Sequence, residues 1–252
     1  ESCKDSGYQE MTLSSLSTSD YRPLTELCDG LLEYCDPRNI NINLPSLRAD
    51  GFSMSIMQRL QRVRKTSITF APEAGTQRMR DTINKNVKEE DLLQSCRTAF
   101  EGGCNAVKLY FMLGLPTETD EDVIGIAQLA EKVYWTWKSY AVNKSRGLRI
   151  TVSTSFFVPK PFTPFQWEAQ ITREEYHRRV DLLRNSIKNK SIQYNWHEME
   201  TSYIEAVLAR GDRRLGKLLE TVWRKGARLD SWSEYFDFER WMEAFAETGI
   251  DP

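Results

Sequence analysis

The residues with the most chemical reach gather where apolar runs stop. Glu73, in "FAPEAGT", ends one such run and precedes a helical segment. Its carboxylate either accepts hydrogen bonds from ligand hydroxyls or an amine, or caps the next helix, where the helix dipole favours negative charge. "GLPTETDED" puts Gly114 where the backbone passes close to a neighbour and Pro116 where it fixes the exit. The acids Glu118, Asp120, Glu121 and Asp122 behind them read as charge at a helix N-terminus. Ser15 and Ser17 alternate onto one face of a strand end, to line a pocket or to satisfy backbone groups. Arg80 and Lys85 are either cations near these ends or ordinary helix-surface charges.

The last of these ends is "FVPKPFTPFQW", residues 157–167. Proline fixes φ and has no N–H, so Pro159, Pro161 and Pro164 stop a strand and stiffen the segment beyond it without needing ladder partners. Phe157 and Val158 finish the strand, while Phe162, Phe165 and Trp167 supply bulk, as a plug or as the lining of a substrate mouth.

Other chemistries lack their residues. The five cysteines (Cys3, Cys28, Cys35, Cys96, Cys104) include no C-x2-C or C-x3-C pair, so no metal ligands are assigned. Cys28 and Cys35 share a helical stripe with Leu24, Leu27, Leu31 and Leu32 and read as core. His177 and His197 have no metal-binding spacing. Glu73 as a general base finds no acid–base partner at a convincing spacing, so no catalytic residue is assigned.

These positions need elements to hold them, and the chain supplies a strand–helix alternation. Strands are expected at 8–17, 39–45, 66–75, 106–116 and 148–159. Helices are expected from Pro23 to Cys35, on Met54, Met57, Leu60 and Arg64, near 76–83, over 88–101, and from a Thr119/Asp122 capping box onward. Such βα units build a parallel sheet, as a (β/α) barrel or an open doubly wound sheet. No strand is followed by G-x-G-x-x-G, and every strand ends in small polar or turn residues, which favours a barrel with its chemistry on the rim of strand C-termini.

After Trp167 helices are expected to take over, at 173–189, 201–210, 212–225 and 233–247. Residues 173–228 hold 13 Lys/Arg against 8 Asp/Glu, whereas 229–252 hold 1 against 7. The basic stretch reads as solvated helix faces or as a surface for RNA. The Trp and Tyr residues from Trp223 to Trp241 read as helix-packing anchors.

With 252 residues, 40% hydrophobic and 28% charged, the chain can bury a large core, and its net charge of −2 argues against wholesale attraction to nucleic acid or anionic membrane. No apolar run approaches the roughly 20 residues of a membrane span, so a soluble, cytoplasmic protein with no membrane partner is expected. "ESCKDSGYQE" reads as the tail of a helix closing at Gly7, and the chain is expected to be part of a longer one.

Taken together, "FAPEAGTQRMRDTINK", "GGCNAVKLYFMLGLPTETDEDV" and "FVPKPFTPFQW" resemble the core of radical SAM enzymes, in the branch shared by tRNA methylthiotransferases and cobalamin-binding members. The likeness spans residues 7–167. It implies a partial (β/α)6 TIM-like barrel over 1–167 with a helical extension over 168–252. It also implies S-adenosylmethionine (SAM) held against a [4Fe-4S] cluster to generate a 5′-deoxyadenosyl radical for modification of a substrate not yet identified. Ser15 and Ser17 match positions that contact the methionine part of SAM, and Glu73 one that contacts ribose or amino group. Met112 and Gly114 match positions that bracket the adenine, and Val158 and Pro159 approach it from the last strand. Lys85 stands where relatives often carry an arginine.

The three cluster cysteines of the family's C-x3-C-x2-C loop have no counterpart here, so the ligands are expected upstream of this chain and the 252 residues alone are expected to be inactive. A reductant, RNA as substrate and cobalamin as a further cofactor belong to the same expectation for the parent protein. The alternative is a non-catalytic module that binds RNA or protein.

Overall fold

The computed structural model of the protein describes residues 2–14, 21–43 and 67–252. Ser15, Ser17 and the helix expected on Met54 to Arg64 lie outside the described residues. In chain order the elements are α1 (Ser2–Ser6), β1 (Glu10–Thr12), α2 (Leu24–Cys35), β2 (Asn41–Asn43), β3 (Ile68–Glu73), α3 (Gln77–Thr82), α4 (Glu89–Glu101), β4 (Ala106–Leu113) and α5 (Asp120–Tyr140). Then come β5 (Arg149–Phe156), α6 (Arg173–Ser186), β6 (Ile192–Trp196), α7 (Met199–Arg210), α8 (Leu215–Arg224) and α9 (Phe238–Thr248).

The strands form two sheets. β1 and β2 pair in parallel, Met11 opposite Ile42. The other sheet has the order β3-β4-β5-β6. β3 and β4 run parallel, and β5 keeps that direction against β4, because Arg149 N–H bonds to Asn105 C=O at one end and Phe157 N–H to Leu113 C=O at the other. Among the described residues no pairing joins the two sheets, and the strands do not close into a barrel.

One strand stands where helices alone are expected. Ile192, Tyr194 and Trp196 alternate as β6, a period of two inside an otherwise helical stretch.

The chain divides into two compact units. One comprises residues 1–112, 118–154 and 179–195 and holds most of the two sheets. Its core is built from Phe70, Leu109, Phe111 and Ile150 on the strands, Leu92, Cys96 and Phe100 on α4, and Val123, Ile126, Leu129 and Val133 on α5. The last four recur at helical spacing, so one face of α5 is buried along its length. A second cluster in this unit joins Leu24, Cys28, Leu32 and Cys35 of α2 to Ile40 and Ile42, as the cysteine stripe predicts, whereas Leu27 of that stripe is exposed.

The other unit comprises 113–117, 155–178 and 196–252. Its helices α7, α8 and α9 bury Ile204, Leu215, Leu218, Val222, Trp241 and Phe245 together. Of the aromatics expected as packing anchors, Trp241 is one, but Trp223, Trp232 and Tyr235 are more than half exposed. Among the described residues no helix is long and apolar enough to cross a membrane.

Candidate active site

In the first unit the exit of β3 is bent before it turns. Phe70 pairs with Leu109 and Glu73 with Phe111, so β3 carries one more residue than β4 over this step and bulges at Ala71 and Pro72. Proline has no N–H for the ladder, which is why the extra residue is tolerated there. Glu73 then takes a left-handed φ of 67°, a conformation that costs a non-glycine residue about 1–2 kcal/mol. Its half-buried carboxylate faces Lys85, with Nζ 3.3 Å from Oε1. Thus Glu73 does not cap α3. The cap is Thr76, which accepts from Met79 N–H.

Arg80 is a cation at a strand end and not a helix-surface charge. It is fully buried, and Nη1 donates to the carbonyls of Ala74 at 2.9 Å and Gly75 at 3.3 Å. Nη2 donates to Gln77 Oε1 at 3.2 Å, and Nε finds no acceptor. Burial lowers its pKa, partly offset by Glu89, Asp81 and Glu90. A cation fastened to two carbonyls fixes the path of the β3 exit loop.

That loop is fastened a second time, to the start of α5. Asp122 is buried and accepts from Thr76 Oγ1, from the Arg78 guanidinium, and from Thr119 N–H and Oγ1 at 2.9 Å each. Burial works to raise its pKa, but the donors from Arg78, Thr76 and Thr119 prevail and hold it at about 2. Gly75 lies on the α5 backbone: a Cβ there would meet Asp122 O and Gly125 C at 2.6 Å, as well as Ile126 N. Glu118 is likewise more than helix-end charge, since its buried carboxylate pairs with Arg179 of α6. Asp120 and Glu121 stay exposed, as helix-end charge does. Met112 is half-buried near the end of β4.

In the second unit the exits of β4 and β5 also take left-handed backbone, which strains Thr117 and Phe162 but not a glycine. Gly114 has a φ of 86°, Thr117 of 65° and Phe162 of 61°. The close neighbour that Gly114 requires is Ile171, whose Cδ1 lies 2.9 Å from where a Cβ would stand, with Phe156 next at 3.4 Å. Val158 is half-buried and Pro159 buried. Phe165 packs edge-on to Phe157, ring centres 6.1 Å apart. Phe162 and Trp167 are 97% and 86% exposed. The loop holding them is nonetheless tied down, by Thr163 Oγ1 to Lys160 O, Gln166 Oε1 to Phe162 N–H, and Gln170 Nε2 to Phe157 O.

All five cysteines are described. Cys28, Cys35, Cys96 and Cys104 are buried and Cys3 is half-buried. Burial pushes the thiols of Cys28, Cys35 and Cys96 up, which disfavours the thiolate. Among the described residues no three His, Cys, Asp or Glu side chains converge as metal ligands. His177 and His197 are both exposed.

The bulge at Glu73, the burial of Arg80 and the Arg78–Asp122 contact escape sequence reasoning. The Thr119/Asp122 capping box is the one signal that could have led to the last, since it places the carboxylate at the helix start.

Comparison with known proteins adds a family. The radical SAM superfamily profile matches residues 1–130, just over half of the chain. An uncharacterised protein of the archaeon Methanocaldococcus jannaschii is 28% identical over 99% of this chain, which covers 52% of that protein, so the chain spans about half the length of this curated relative. Among solved structures, a sugar phosphate isomerase/epimerase from Parabacteroides distasonis superimposes with a TM-score of 0.37 at 10% identity, over 96% of this chain and 84% of that one. A dihydrodipicolinate synthase from Oceanobacillus iheyensis gives 0.28 at 8% identity, over 92% and 81%. Scores at that level leave the fold to the strands themselves.

Proposed function

The chain belongs to the radical SAM superfamily, and we propose that it is the SAM-cradling part of a radical SAM enzyme in the branch shared by methylthiotransferases and cobalamin-binding members. The family match over residues 1–130 carries this reading, because that superfamily implies an enzyme, SAM and a [4Fe-4S] cluster. The partial (β/α)6 barrel belongs to the proposal, as do RNA as substrate and cobalamin as a second cofactor.

The two groups fare differently against the residues present. Thiolates hold such clusters, and the five cysteines here come together at most in pairs, Cys3 near Cys35 and Cys96 near Cys104, so they do not fit and the proposal takes the ligands from outside these 252 residues. This chain therefore supplies no step through the cluster. SAM is better matched. Glu73 offers a carboxylate, held in strained backbone at a strand exit, to a ribose hydroxyl or an ammonium group. Lys85, with Nζ 3.3 Å from Oε1, holds that carboxylate in place. Ser15, Ser17, Met112, Gly114, Val158 and Pro159 complete the proposed contacts. Ile171 occupies the side of Gly114 where a Cβ would stand, which leaves the peptide groups of Gly114 as what it can offer. Radical SAM chemistry draws a carbon radical from bound SAM, and the residues here would bind and orient that molecule and exclude water around it.

Equilibrium dialysis of the 252-residue chain against radiolabelled SAM tests the cradle. Retention that falls about tenfold in Glu73→Gln is expected. In parallel, a protein extended upstream of Glu1 to include a cysteine triplet is reconstituted anaerobically with iron and sulfide, reduced, and assayed for 5′-deoxyadenosine. If the chain retains no SAM and the extended protein takes up no cluster, the enzyme is overturned and a binding module is left.

A further inference from the structure

The sheet β3-β4-β5-β6 has two unlike faces. On one, Val107, Leu109 and Phe111 of β4 and Ile150 and Val152 of β5 are buried. A parallel sheet is ordinarily covered on both faces, and its strands then read as unbroken apolar runs. Here β4 alternates strictly between buried and more accessible residues, and β5 nearly so. The second face is therefore built to meet something polar.

Strand pairing identifies what that face carries. Thr69 of β3 lies opposite Lys108 of β4. The bond from Arg149 N–H to Asn105 O sets Thr151 opposite Lys108 and Ser153 opposite Tyr110. The bond from Ile150 N–H to Ser191 O continues these rows to Gln193 and Asn195 of β6, and Gln193 Nε2 donates to Asn195 Oδ1 at 3.4 Å on the same side. All these residues stand in the first unit. Tyr110, Gln193 and Asn195 are exposed, and Thr69, Lys108 and Thr151 are half-buried.

The polar groups on this face are donors with nothing to meet. Among the described residues the hydroxyls of Thr69, Tyr110, Thr151 and Ser153 form no hydrogen bond, and Lys108 has no ion-pair partner; its ammonium rests 4.6 Å from the centre of the Tyr110 ring. Arg149, exposed and likewise unpaired, is the diagonal neighbour of Lys108, roughly 8 Å away at Cα, so that two long side chains can reach one group. Among the described residues no strand side chain on this face is acidic up to the bulge in β3. An ammonium and a guanidinium beside several hydroxyls match a carboxylate or a phosphate. The approach is positive too. The loops leading into β5 and β6 hold Lys144, Arg146, Lys188 and Lys190, all exposed and without an ion-pair partner among the described residues, and Glu131 of α5 meets the second loop by accepting from Asn189 Nδ2 at 3.1 Å. Such a field draws anions toward the face. Because Lys108 is half-buried between neighbours on two strands, it suits the terminal group of a small molecule better than the continuous backbone of a nucleic acid.

We propose that this face of the sheet holds a small-molecule substrate by its carboxylate or phosphate, through Lys108 and Arg149, with Tyr110 and Ser153 along the body of the molecule. Met112 stands on the same face four residues beyond Lys108, about 13 Å along β4, so the anionic group lies about that far from the part of the molecule that meets SAM. Calling the ligand a substrate rests on the SAM-cradle reading, whereas the anion site does not. Phenyl phosphate and benzoate, titrated into the whole chain with isotope-labelled lysine side chains, test the site by nuclear magnetic resonance and separate the two anions. The Lys108 signal, assigned by its absence from Lys108→Met, should shift saturably with at least one of them and not with phenol. Broadening of the ligand's own signals should show binding about tenfold weaker in Lys108→Met and in Arg149→Met, and largely restored in Lys108→Arg. No saturable shift with either anion, or binding that Arg149→Met leaves unchanged, would overturn the site. A Lys108 signal that moves only with homopolymeric RNA, and less as salt is added, would overturn it in favour of a nucleic-acid surface. Anion binding by a chain that retains no SAM would uphold the site and remove the substrate role alone.

Discussion

The N-cap hydroxyl of Thr76 donates to the carboxylate of Asp122, so that α3 and α5 start from a shared hydrogen bond. Asp122 closes the capping box of its own helix through Thr119 and also takes the guanidinium of Arg78. One buried acid therefore sets where the β3 exit loop lies.

Asp122 should make stability acid-sensitive. Its carboxyl is held at about 2 against an ordinary 3.8. A depressed folded-state pKa adds stability that is fully present above the ordinary value and is lost as pH falls through the folded one. Roughly 2 kcal/mol should therefore disappear between about pH 4 and pH 2. Urea unfolding of Asp122→Asn should show a loss of similar size at neutral pH and less further loss through that window. An unchanged acid limb in the variant would place the sensitivity elsewhere.

The two glycines at this junction should respond unequally. Gly75→Ala drives a methyl group into the α5 backbone, at 2.6 Å from Asp122 O and Gly125 C, where nothing yields cheaply. Gly125→Ala meets the Thr76 methyl at 2.6 Å, which can turn aside only by giving up the hydrogen bonds of its hydroxyl with Asp122 and Met79 N–H. Against that, the variant gains about 1 kcal/mol of helix propensity within α5. A destabilisation of about 3 kcal/mol for the first and about 1 kcal/mol for the second is expected. Equal midpoints in thermal unfolding would refute the backbone contact.

Arg80 should tolerate lysine better than methionine. Methionine fills the space but leaves the carbonyls of Ala74 and Gly75 without donors, an expected loss of about 1–3 kcal/mol. Lysine restores one donor and should recover part of it. Chemical denaturation of the two variants gives the order, and an equal loss in both would mean that packing of the guanidinium matters more than its hydrogen bonds.

Such contacts mark the limit of what the sequence discloses. α2, α4, α5 and β3 to β5 are legible because their apolar residues repeat at 3.6 or 2 and their ends carry Pro, Gly or a capping box. β6 was legible too, in the alternation of Ile192, Tyr194 and Trp196. The bulge before Glu73 is a relation between two strands and has no signature within either. Arg80 stays open in sequence between a cation at a strand end and a helix-surface charge, because only the folded loop surrounds it with carbonyls. Trp223 and Trp241 look alike in sequence, and only the packing of α8 against α9 separates the exposed one from the buried one.

Glu73 should show a conflict between stability and binding. Its backbone is left-handed at 67°, which glycine adopts freely. The ion pair with Lys85 is partly exposed and so worth little, at most about 1 kcal/mol. Relief of strain and loss of the pair then oppose each other, and Glu73→Gly should be as stable as the wild type or up to about 1 kcal/mol more so. Glu73→Ala keeps the strain, loses the pair and should be the less stable of the two. Both should retain less SAM if the carboxylate touches the ligand. Thermal unfolding and dialysis of the same three proteins separate the effects: a glycine variant that is stable yet binds poorly assigns Glu73 to the ligand, whereas one that binds like the wild type leaves the strained residue a part of the bulge alone.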